Sequence, residues 1–235
     1  MIETPERRGA PDGPHLFRPL QMRSVTLPNR IVLSPMCQYC AEDGVPDDWH
    51  FQHLASRAVG GTGLIFTEAT HVEARGRITP RCLGLWNDEQ GERLARIVRF
   101  VKRQGVVPGV QLGHAGRKAS VDVPWRGGGP LGPEAGGWPP IAPSALAYAD
   151  GWPTPQAMDA SDIAAVLDAF RSAVRRAREA GFEVVELHAA HGYLGHQFLS
   201  PSSNRRNDAW GGELRGRARF VHELIDATRA EWPDH

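Results

Sequence analysis

Short apolar runs alternate along the chain with longer segments in which apolar residues recur every three or four positions. The apolar runs are bounded by turn residues, which predicts four buried strands; they cover residues 30–36, 63–69, 106–112 and 182–187. The periodic segments predict amphipathic helices. Asp48 is predicted to cap the first, Asp88 to start the second and Ser161 to cap the third, and the last begins at about Glu213. They end at about Val59, before Gly105, before Gly181 and at about Trp232. The pattern therefore predicts four consecutive strand–helix units.

The third and fourth predicted helices have the clearest apolar faces. Ser161 is predicted to cap the third helix, and Gly181 is predicted to end it. Its inward face comprises Ile163, Val166, Leu167, Phe170, Val174 and Ala177. The predicted inward face of the last helix comprises Phe220, Val221, Leu224 and Ile225.

Three segments lie outside this alternation. Residues 1–14 are charged and rich in Pro and Gly, which predicts a flexible tail ahead of one domain over residues 15–235. Residues 16–22 and 25–30 are typical of a small hairpin lid. Residues 121–155 have no regular period, and three Trp residues in this excursion predict that it packs onto the domain.

Buried strands that alternate with amphipathic helices predict an α/β fold with a parallel sheet and right-handed crossovers. The architectures of this kind are the doubly wound sheet and the (β/α)8 TIM barrel. No G-x-G-x-x-G follows the first strand, and the triplet Gly127–Gly129 has neither a following helix nor a Lys-Ser/Thr pair. The sequence therefore disfavours the common nucleotide-binding sheet.

Composition excludes several classes of protein. The 27 Lys and Arg residues balance 27 Asp and Glu residues, so we expect no nucleic-acid partner. No apolar run approaches the roughly 20 residues that a membrane span requires, and the amino terminus lacks the apolar core of a secretory signal. Three cysteines are an odd number and argue for a reducing compartment, which predicts a cytoplasmic protein.

Polar residues follow all four predicted strands. Because ligands bind at the carboxyl ends of parallel strands, these residues are predicted to surround one mouth. They lie in the segments Ser34–Tyr39, Thr67–Thr70, Gln111–His114 and His188–Tyr193.

The residue types leave several chemistries open. Cys37 and Cys40 form a C-x-x-C, but zinc would require a second pair, and a redox dithiol would be expected to open a helix. Cys37 with a nearby His is an alternative nucleophile. His188 and His191 could ligate a metal together with His114 or Glu68.

A second set of alternatives needs no metal. Two His donors that converge on one oxygen would stabilise negative charge there. Tyr193 is suited to protonating a carbon next to a carbonyl. The residues alone do not decide between a metal hydrolase and a redox enzyme.

Long motifs in the chain resemble those of the old yellow enzyme family. They are NRIVLSPMCQY, GLIFTEAT, GRIT, VQLGHAGRKAS, GFEVVELHAAHGYLGHQFLSP and WGGELRGRARF. The resemblance covers the chain from about His15 to Trp232. The SPMC and HAAHGYL segments resemble the branch called thermophilic-like, and the excursion resembles the xenobiotic reductases. It implies an FMN-dependent NAD(P)H oxidoreductase on a (β/α)8 barrel. Such enzymes reduce the activated C=C bond of α,β-unsaturated carbonyl or nitro compounds.

The resemblance also implies roles for individual residues. The residues implied to hold FMN are Ser34, Pro35, Met36, Cys37, Ala69 and Gln111. The substrate oxygen would lie on His188 and His191, with Tyr39 helping to hold the substrate. Tyr193 would be the catalytic proton donor. Arg117 and Lys118 would have structural or supporting roles, and no metal is implied.

Two departures from the family pattern are apparent. Trp210 stands where the family has Tyr, and residues 213–216 replace the usual S-x-x-N, which affects local packing more than chemistry. The chain also carries only about four of the eight βα units, so we expect it to be the amino-terminal part of such a barrel. The alternative to an active oxidoreductase is an inactive half-barrel that self-associates through open sheet edges. A barrel metal hydrolase is disfavoured.

Overall fold

The computed structural model describes residues 13–233, so the predicted tail lies almost entirely outside the described residues. The strands are β1 (Leu20–Met22), β2 (Val25–Leu27), β3 (Val32–Leu33), β4 (Leu64–His71), β5 (Val107–Gly113), β6 (Ile141–Ala142), β7 (Gln156–Ala157) and β8 (Val184–Leu187). The helices are α1 (Asp48–Val59), α2 (Asp88–Arg103), α3 (Ala160–Ala180), α4 (Leu194–Leu199) and α5 (Leu214–Glu231).

A four-stranded parallel sheet with the order β3-β4-β5-β8 forms the centre of the fold. Every residue of β4 and β5 is buried, whereas all four residues of β8 are half-buried and Val32 in β3 is exposed. The difference arises because β3 and β8 are the outer strands of the sheet and each has a strand neighbour on one side only. The predicted βα alternation is confirmed.

The first strand is shorter than predicted. Only Val32 and Leu33 of residues 30–36 pair with β4, opposite Leu64 and Ile65. The chain then leaves the edge of the sheet. Residues 34–36, which were predicted to belong to the strand, therefore form no strand pairs. An outer strand lacks a second neighbour to hold it extended, and this accounts for the early departure.

Side-chain caps set the starts of the first three helices. The predicted cap of α1, Asp48, is wrong by one residue, because Asp47 is the N-cap and accepts hydrogen bonds from the amides of Trp49 and His50.

The predicted cap of α3, Ser161, is wrong by two residues, because Asp159 is the N-cap and accepts a hydrogen bond from the Asp162 amide at 2.8 Å. Ser161 instead donates its hydroxyl to Asp159 at 2.6 Å. Gly181 ends α3 with φ of 92°, as predicted.

The last helix packs differently from the prediction in one position. Phe220, Leu224, Ala227 and Thr228 are its buried residues, while Ile225 is 44% exposed and does not face the core as predicted. Phe220 stacks on Phe198 with ring centroids 4.2 Å apart. Phe198 belongs to the short helix α4, which the periodicity did not predict because six residues give too little pattern.

The hairpin of β1 and β2 covers the amino ends of the sheet strands. Leu27 is 1% exposed and packs in one apolar cluster with Leu64, Phe66 and Val107. Leu64 and Val107 are the first residues of β4 and β5. The predicted hairpin is confirmed, but it closes the end opposite to the carboxyl ends of the strands.

The excursion lies at the carboxyl ends of the strands. Its Val121 packs in a second apolar cluster with Ile78 and Cys82, and Trp138 and Trp152 pack against the same cluster. The Trp138 indole donates a hydrogen bond to the carbonyl of Arg75 at 2.8 Å. The predicted packing by Trp residues is confirmed for these two, whereas Trp125 is 66% exposed.

In the described part of the chain, no helix combines the length and the apolar character that crossing a bilayer requires.

A fully buried histidine makes stability depend on pH. Burial lowers the pKa of His71 from 6.5 to about 3, so folding keeps the imidazole neutral while it faces the Leu83 carbonyl at 3.1 Å. The unfolded chain takes up a proton below pH 6.5 that the folded chain does not, so stability falls as pH decreases through this window. His71 contributes to the pH dependence of the free energy of unfolding, and its contribution approaches about 1.4 kcal/mol per pH unit between pH 6 and pH 4.

We therefore expect His71→Asn, which retains a donor for the Leu83 carbonyl, to flatten the pH dependence of the free energy of unfolding. Urea titrations at pH 7, 6 and 5 measure it. His222→Asn, at an exposed position of α5, is the matched control and is expected to retain the wild-type slope. An unchanged slope in the His71 variant would contradict the prediction.

Candidate active site

The register of the sheet places two predicted site residues side by side. Ala69 of β4 lies opposite Gln111 of β5, and Gln111 lies opposite Glu186 of β8. The Gln111 amide donates a hydrogen bond to the Glu186 carboxylate at 2.6 Å. This bond fixes the orientation of the amide at the carboxyl end of the sheet.

An irregularity in β4 shapes the floor of the site. The register between β4 and β5 shifts between Phe66 and Ala69, where the hydroxyls of Thr67 and Thr70 lie 3.0 Å apart. Bulges of this kind redirect side chains next to active sites. The result is a small side chain, that of Ala69, beside the Gln111 amide.

The segment after β3 is tied to the buried carboxylate of Glu68. Glu68 accepts a hydrogen bond from the backbone amide of Gln38 at 3.3 Å and lies 3.1 Å from Nε2 of His50. Ser34 and Met36 are exposed, and Pro35 and Cys37 are half-buried. The four residues predicted to lie along the flavin therefore form one segment beside the end of β4.

Tyr39 has a backbone conformation that is unusual for a residue with a side chain. Its φ is 53°, in the left-handed region. Arg81 donates to the Tyr39 carbonyl at 2.8 Å, and the Tyr39 ring meets Trp125 of the excursion at 5.9 Å between centroids. Cys37, Tyr39 and Tyr193 pack against one apolar cluster.

The loop after β8 gathers three aromatic side chains. The His188 ring lies edge to face with His191 and with Tyr193, both at 5.1 Å between centroids. His191 has φ of 54° and Gly192 has φ of 74°. Two successive left-handed residues turn the chain sharply. This turn allows His191 and Tyr193, three and five positions after His188, to contact its ring.

Side chains from two neighbouring elements hold this loop. Gln197 of α4 donates to the carbonyls of Gly192, at 2.7 Å, and of Ala115, at 3.0 Å. Lys118 donates to the carbonyl of His191 at 3.0 Å. The loop after β8 is thereby joined to the segment after β5.

Burial keeps the two key site residues neutral. Desolvation and the neighbouring His191 lower the pKa of His188, so it is an uncharged imidazole at neutral pH. Desolvation, with a contribution from Cys37, raises the pKa of Tyr193 above its usual value. Tyr193 therefore carries its phenolic proton at neutral pH, which a proton donor requires.

The structure does not bring together the ligands of the metal hydrolase hypothesis. Nε2 of His114 lies 2.8 Å from the Glu73 carboxylate, and Nδ1 accepts a hydrogen bond from the Gly116 amide at 2.9 Å. Both ring nitrogens of His114 are therefore engaged. His114 is a buried structural residue and cannot join His188 in holding a metal.

Within the described residues, a separate group of potential ligands comprises Cys40, Asp47 and His50. Cys40 and Asp47 line a cleft of about 550 Å³ between α1 and α2. Nδ1 of His50 accepts a hydrogen bond from the Asp47 amide at 3.0 Å, and Nε2 faces Glu68. These contacts explain the cluster as the cap of α1.

The C-x-x-C cysteines occupy separate environments. Cys37 lies by Tyr39 and Cys82, whereas Cys40 lies by Asp47 and His50. Both are free thiols. Desolvation raises the pKa of both, that of Cys40 to about 12. This environment does not activate a nucleophile, and it does not support the Cys–His hydrolase alternative.

Several residues of the site were not predicted from the sequence. Glu186 fixes Gln111, Gln197 holds Gly192, and Trp125 borders Tyr39. The position of Glu186 two residues before His188 on a strand places it on the same face as His188, and this signal could have identified it. Contacts of Gln197 and Trp125 depend on loop conformation, for which the sequence carries no comparable signal.

Comparison with known proteins decides between the chemistries that the residues left open. Residues 15–232 match the NADH:flavin oxidoreductase / NADH oxidase family. The chain belongs to this family. It is 49% identical over 223 residues to a NADH:flavin oxidoreductase of Gibberella zeae. It is 47% identical over 219 residues to an NADPH dehydrogenase of a Geobacillus species, strain WCH70. FMN is the cofactor of the family.

Solved structures agree with this assignment to the NADH:flavin oxidoreductases. Morphinone reductase in complex with tetrahydroNAD superposes with a TM-score of 0.81 at 34% identity over 93% of this chain. The old yellow enzyme homologue of Zymomonas mobilis superposes with a TM-score of 0.80 at 32% identity over 92% of this chain. The resemblance to old yellow enzymes is confirmed, and the sheet is the first part of their (β/α)8 barrel.

The chain spans only part of these relatives. It aligns with 54% of the Gibberella protein and 60% of the Geobacillus protein, taking 93% and 92% of its own length. It aligns with 61% of morphinone reductase and 60% of the Zymomonas protein. The expectation of a partial barrel agrees with this coverage.

The raised thiol pKa values give a test of the site environment. At pH 8, a thiol with a pKa of about 12 is ionised to only about one part in 10⁴. We expect the native protein to react with Ellman's reagent at least ~100-fold more slowly than the same protein in guanidinium chloride. Stopped-flow absorbance measures both rates. A rapid burst of one thiol in the native state would contradict the prediction, and Cys40→Ser would show whether Cys37 causes it.

Proposed function

We propose that this chain carries the substrate and flavin face of an FMN-dependent, NAD(P)H-driven reductase of activated C=C bonds. The substrates are α,β-unsaturated carbonyl or nitro compounds. The observation that carries the proposal is the convergence of His188, His191 and Tyr193 over the strand ends that hold Ala69 and Gln111. The relatives are named for NADH and NADPH, and we propose NAD(P)H as the electron donor.

The residues present fit the isoalloxazine part of FMN. Ala69 offers a small, nearly buried side chain on which a flat ring can lie. The Gln111 amide has an oxygen and a second N–H beyond its bond to Glu186, and these match the alternating donors and acceptors of a pyrimidine edge. We propose that Ser34, Pro35, Met36 and Cys37 line the ring along one side.

Two imidazole side chains are suited to binding the substrate oxygen. An imidazole ring carries at least one N–H donor, so His188 and His191 can each direct an N–H at the same carbonyl or nitro oxygen. Negative charge on that oxygen grows as a hydride reaches the β-carbon. Donors that are already in position stabilise this charge without reorganisation. Tyr39 helps to hold the substrate from the opposite segment.

Tyr193 completes the reaction by supplying a proton. Bound FMN would supply the hydride chemistry that links NAD(P)H to the β-carbon of the substrate. The phenol of Tyr193 gives its proton to the α-carbon, the C=C bond becomes a single bond, and water returns a proton to the phenolate. One NAD(P)H and one proton are consumed for each bond reduced.

The extent of the chain favours a second candidate, an inactive half-barrel. The chain spans 54–60% of its curated relatives, and β3 and β8 have unpaired edges within the described residues. Such edges pair readily, so self-association accompanies this alternative. In either case we propose that the protein is cytoplasmic, which its free cysteines support.

Flavin binding separates the two candidates. We expect the chain to bind FMN and quench its fluorescence, and Gln111→Leu to weaken binding at least ~10-fold because two polar contacts are lost. Fluorescence titration measures the Kd. Gln21→Leu, in the hairpin at the other end of the sheet, is the matched control. A chain that binds no FMN but is folded by circular dichroism supports the inactive half-barrel.

Replacement of Tyr193 distinguishes two half-reactions, the reduction of the flavin by NADPH and the reduction of the substrate by the flavin. Tyr193→Phe is expected to lower the rate of reduction of 2-cyclohexenone by ~10²–10⁴-fold, the usual contribution of a general acid. Anaerobic bleaching of the flavin by NADPH should be unchanged, since that half-reaction needs no proton from Tyr193. Equal losses in both half-reactions would assign Tyr193 a role other than proton donation.

A further inference from the structure

We propose that Lys118 is a positioning residue that fixes the Tyr193 ring and the His191 turn and stabilises the phenolate that remains after proton transfer. The inference rests on the function proposed above and extends it to a residue of the segment after β5. Lys118 lies in a short 3₁₀ turn, Gly116–Lys118, that directly follows that strand. In this proposal it acts through Tyr193 and His191.

The Lys118 ammonium joins three segments of the site. It donates a hydrogen bond to the carbonyl of His191 at 3.0 Å. It also lies 5.0 Å from the centroid of the Tyr193 ring and 4.8 Å from that of Tyr148 in the excursion. A cation within about 6 Å of a ring face is attracted by the ring, and here two rings hold the same cation.

The hydrogen bond falls on the strained part of the loop. His191 is a non-glycine residue with φ of 54°, a conformation that persists only where the surroundings stabilise it. The Lys118 side chain crosses the next residue, because a Cβ added to Gly192 would lie 3.6 Å from Cδ of Lys118. The Lys118 side chain thus packs over the turn at Gly192, and its ammonium also binds the carbonyl of His191.

The backbone around Lys118 is itself held in place. The Lys118 amide donates to the Ala115 carbonyl at 3.2 Å, and the Gly116 amide donates to Nδ1 of His114 at 2.9 Å. The Arg117 amide donates to Gln197 at 3.2 Å. The ammonium therefore extends from a fixed base, which a positioning role requires.

The neighbouring basic residue, Arg117, makes different contacts. Arg117 donates to the carbonyls of Leu146 and Ala147, at 3.4 and 3.2 Å, so it binds the excursion. Lys118 alone of the two contacts the loop after β8. The distinction predicts separate effects of the two residues on Tyr193.

The chemical consequence concerns charge on the Tyr193 ring. After the O–H bond of Tyr193 breaks and the proton forms the C–H bond at the α-carbon, the phenolate spreads negative charge over the ring. A cation beside the ring stabilises this product more than the neutral phenol. The proton that restores the phenol comes from water.

The three tyrosines of the chain allow a direct test that does not depend on catalysis. Biosynthetic labelling with 3-fluorotyrosine gives three ¹⁹F resonances, which Tyr→Phe variants assign. Lys118→Met removes the charge and retains the length of the side chain. It is expected to shift the resonances of Tyr148 and Tyr193 by more than their line widths and to leave that of Tyr39 in place.

Two variants serve as controls. Lys118→Arg retains a cation and should keep both resonances nearer to their wild-type positions. Arg126→Met removes an exposed charge from the excursion and should move neither resonance. A Tyr193 resonance that stays in place in folded Lys118→Met would overturn the proposal. So would a failure of both Lys118→Met and Lys118→Gln to fold, since Lys118 would then be a general structural residue.

Kinetics provides the second readout. In an active protein, Lys118→Met should lower kcat for enone reduction about tenfold with little change in flavin reduction by NADPH, and Lys118→Arg should restore most of the loss. Equal losses in both half-reactions would overturn the proposal. A wild-type chain without activity would refute the proposed function but leave the ¹⁹F shifts as a valid test of the contact.

Discussion

The pairing of β4 with β5 is the interaction on which the rest of the structure depends. Both strands are buried along their whole length, so their register is fixed by the core on either side. A slip of one residue would turn Ala69 and Gln111 away from the mouth of the sheet. The positions of the outer strands follow, because among residues 13–233 β3 pairs only with β4 and β8 pairs only with β5.

The loops depend on polar tethers where the sheet cannot hold them. Tyr39 and His191 are both left-handed, and each carbonyl accepts a hydrogen bond from a distant basic residue, Arg81 or Lys118. Such conformations cost free energy and concentrate at functional sites. The scaffold therefore stabilises a strained arrangement of aromatic side chains through a few long-range bonds.

Sequence patterns identified the parts of the fold that follow local rules. Buried strands and Gly181 at the end of α3 were predicted because period and helix ends leave clear signals. The cap of α3 was misassigned because Asp159 and Ser161 are both good caps, and only the bond to the Asp162 amide distinguishes them. The start of α4 and the exposure of Ile225 depend on tertiary packing, which periodicity does not encode.

The site was identified by motif rather than by geometry. Strand ends located His188, His191 and Tyr193, and the family resemblance supplied their expected chemistry. Neither the strand ends nor the resemblance could identify the contacts of Gln197 or those of Lys118 with two rings. These contacts join residues that are more than 70 positions apart, or they reach into the irregular excursion. Long-range contacts of loop residues are the part of a site that one sequence reveals least.

The unpaired edges of β3 and β8 make the described sheet suitable for fragment complementation. A parallel strand that adds to β8 must align with Val184–Leu187, and its carboxyl end then enters the same mouth as Gln111 and His188. The sheet thus offers a template that selects the direction of an added strand. A separate polypeptide containing the later strands of a relative could be tested for assembly on this edge, with flavin affinity reporting whether the shared site has formed.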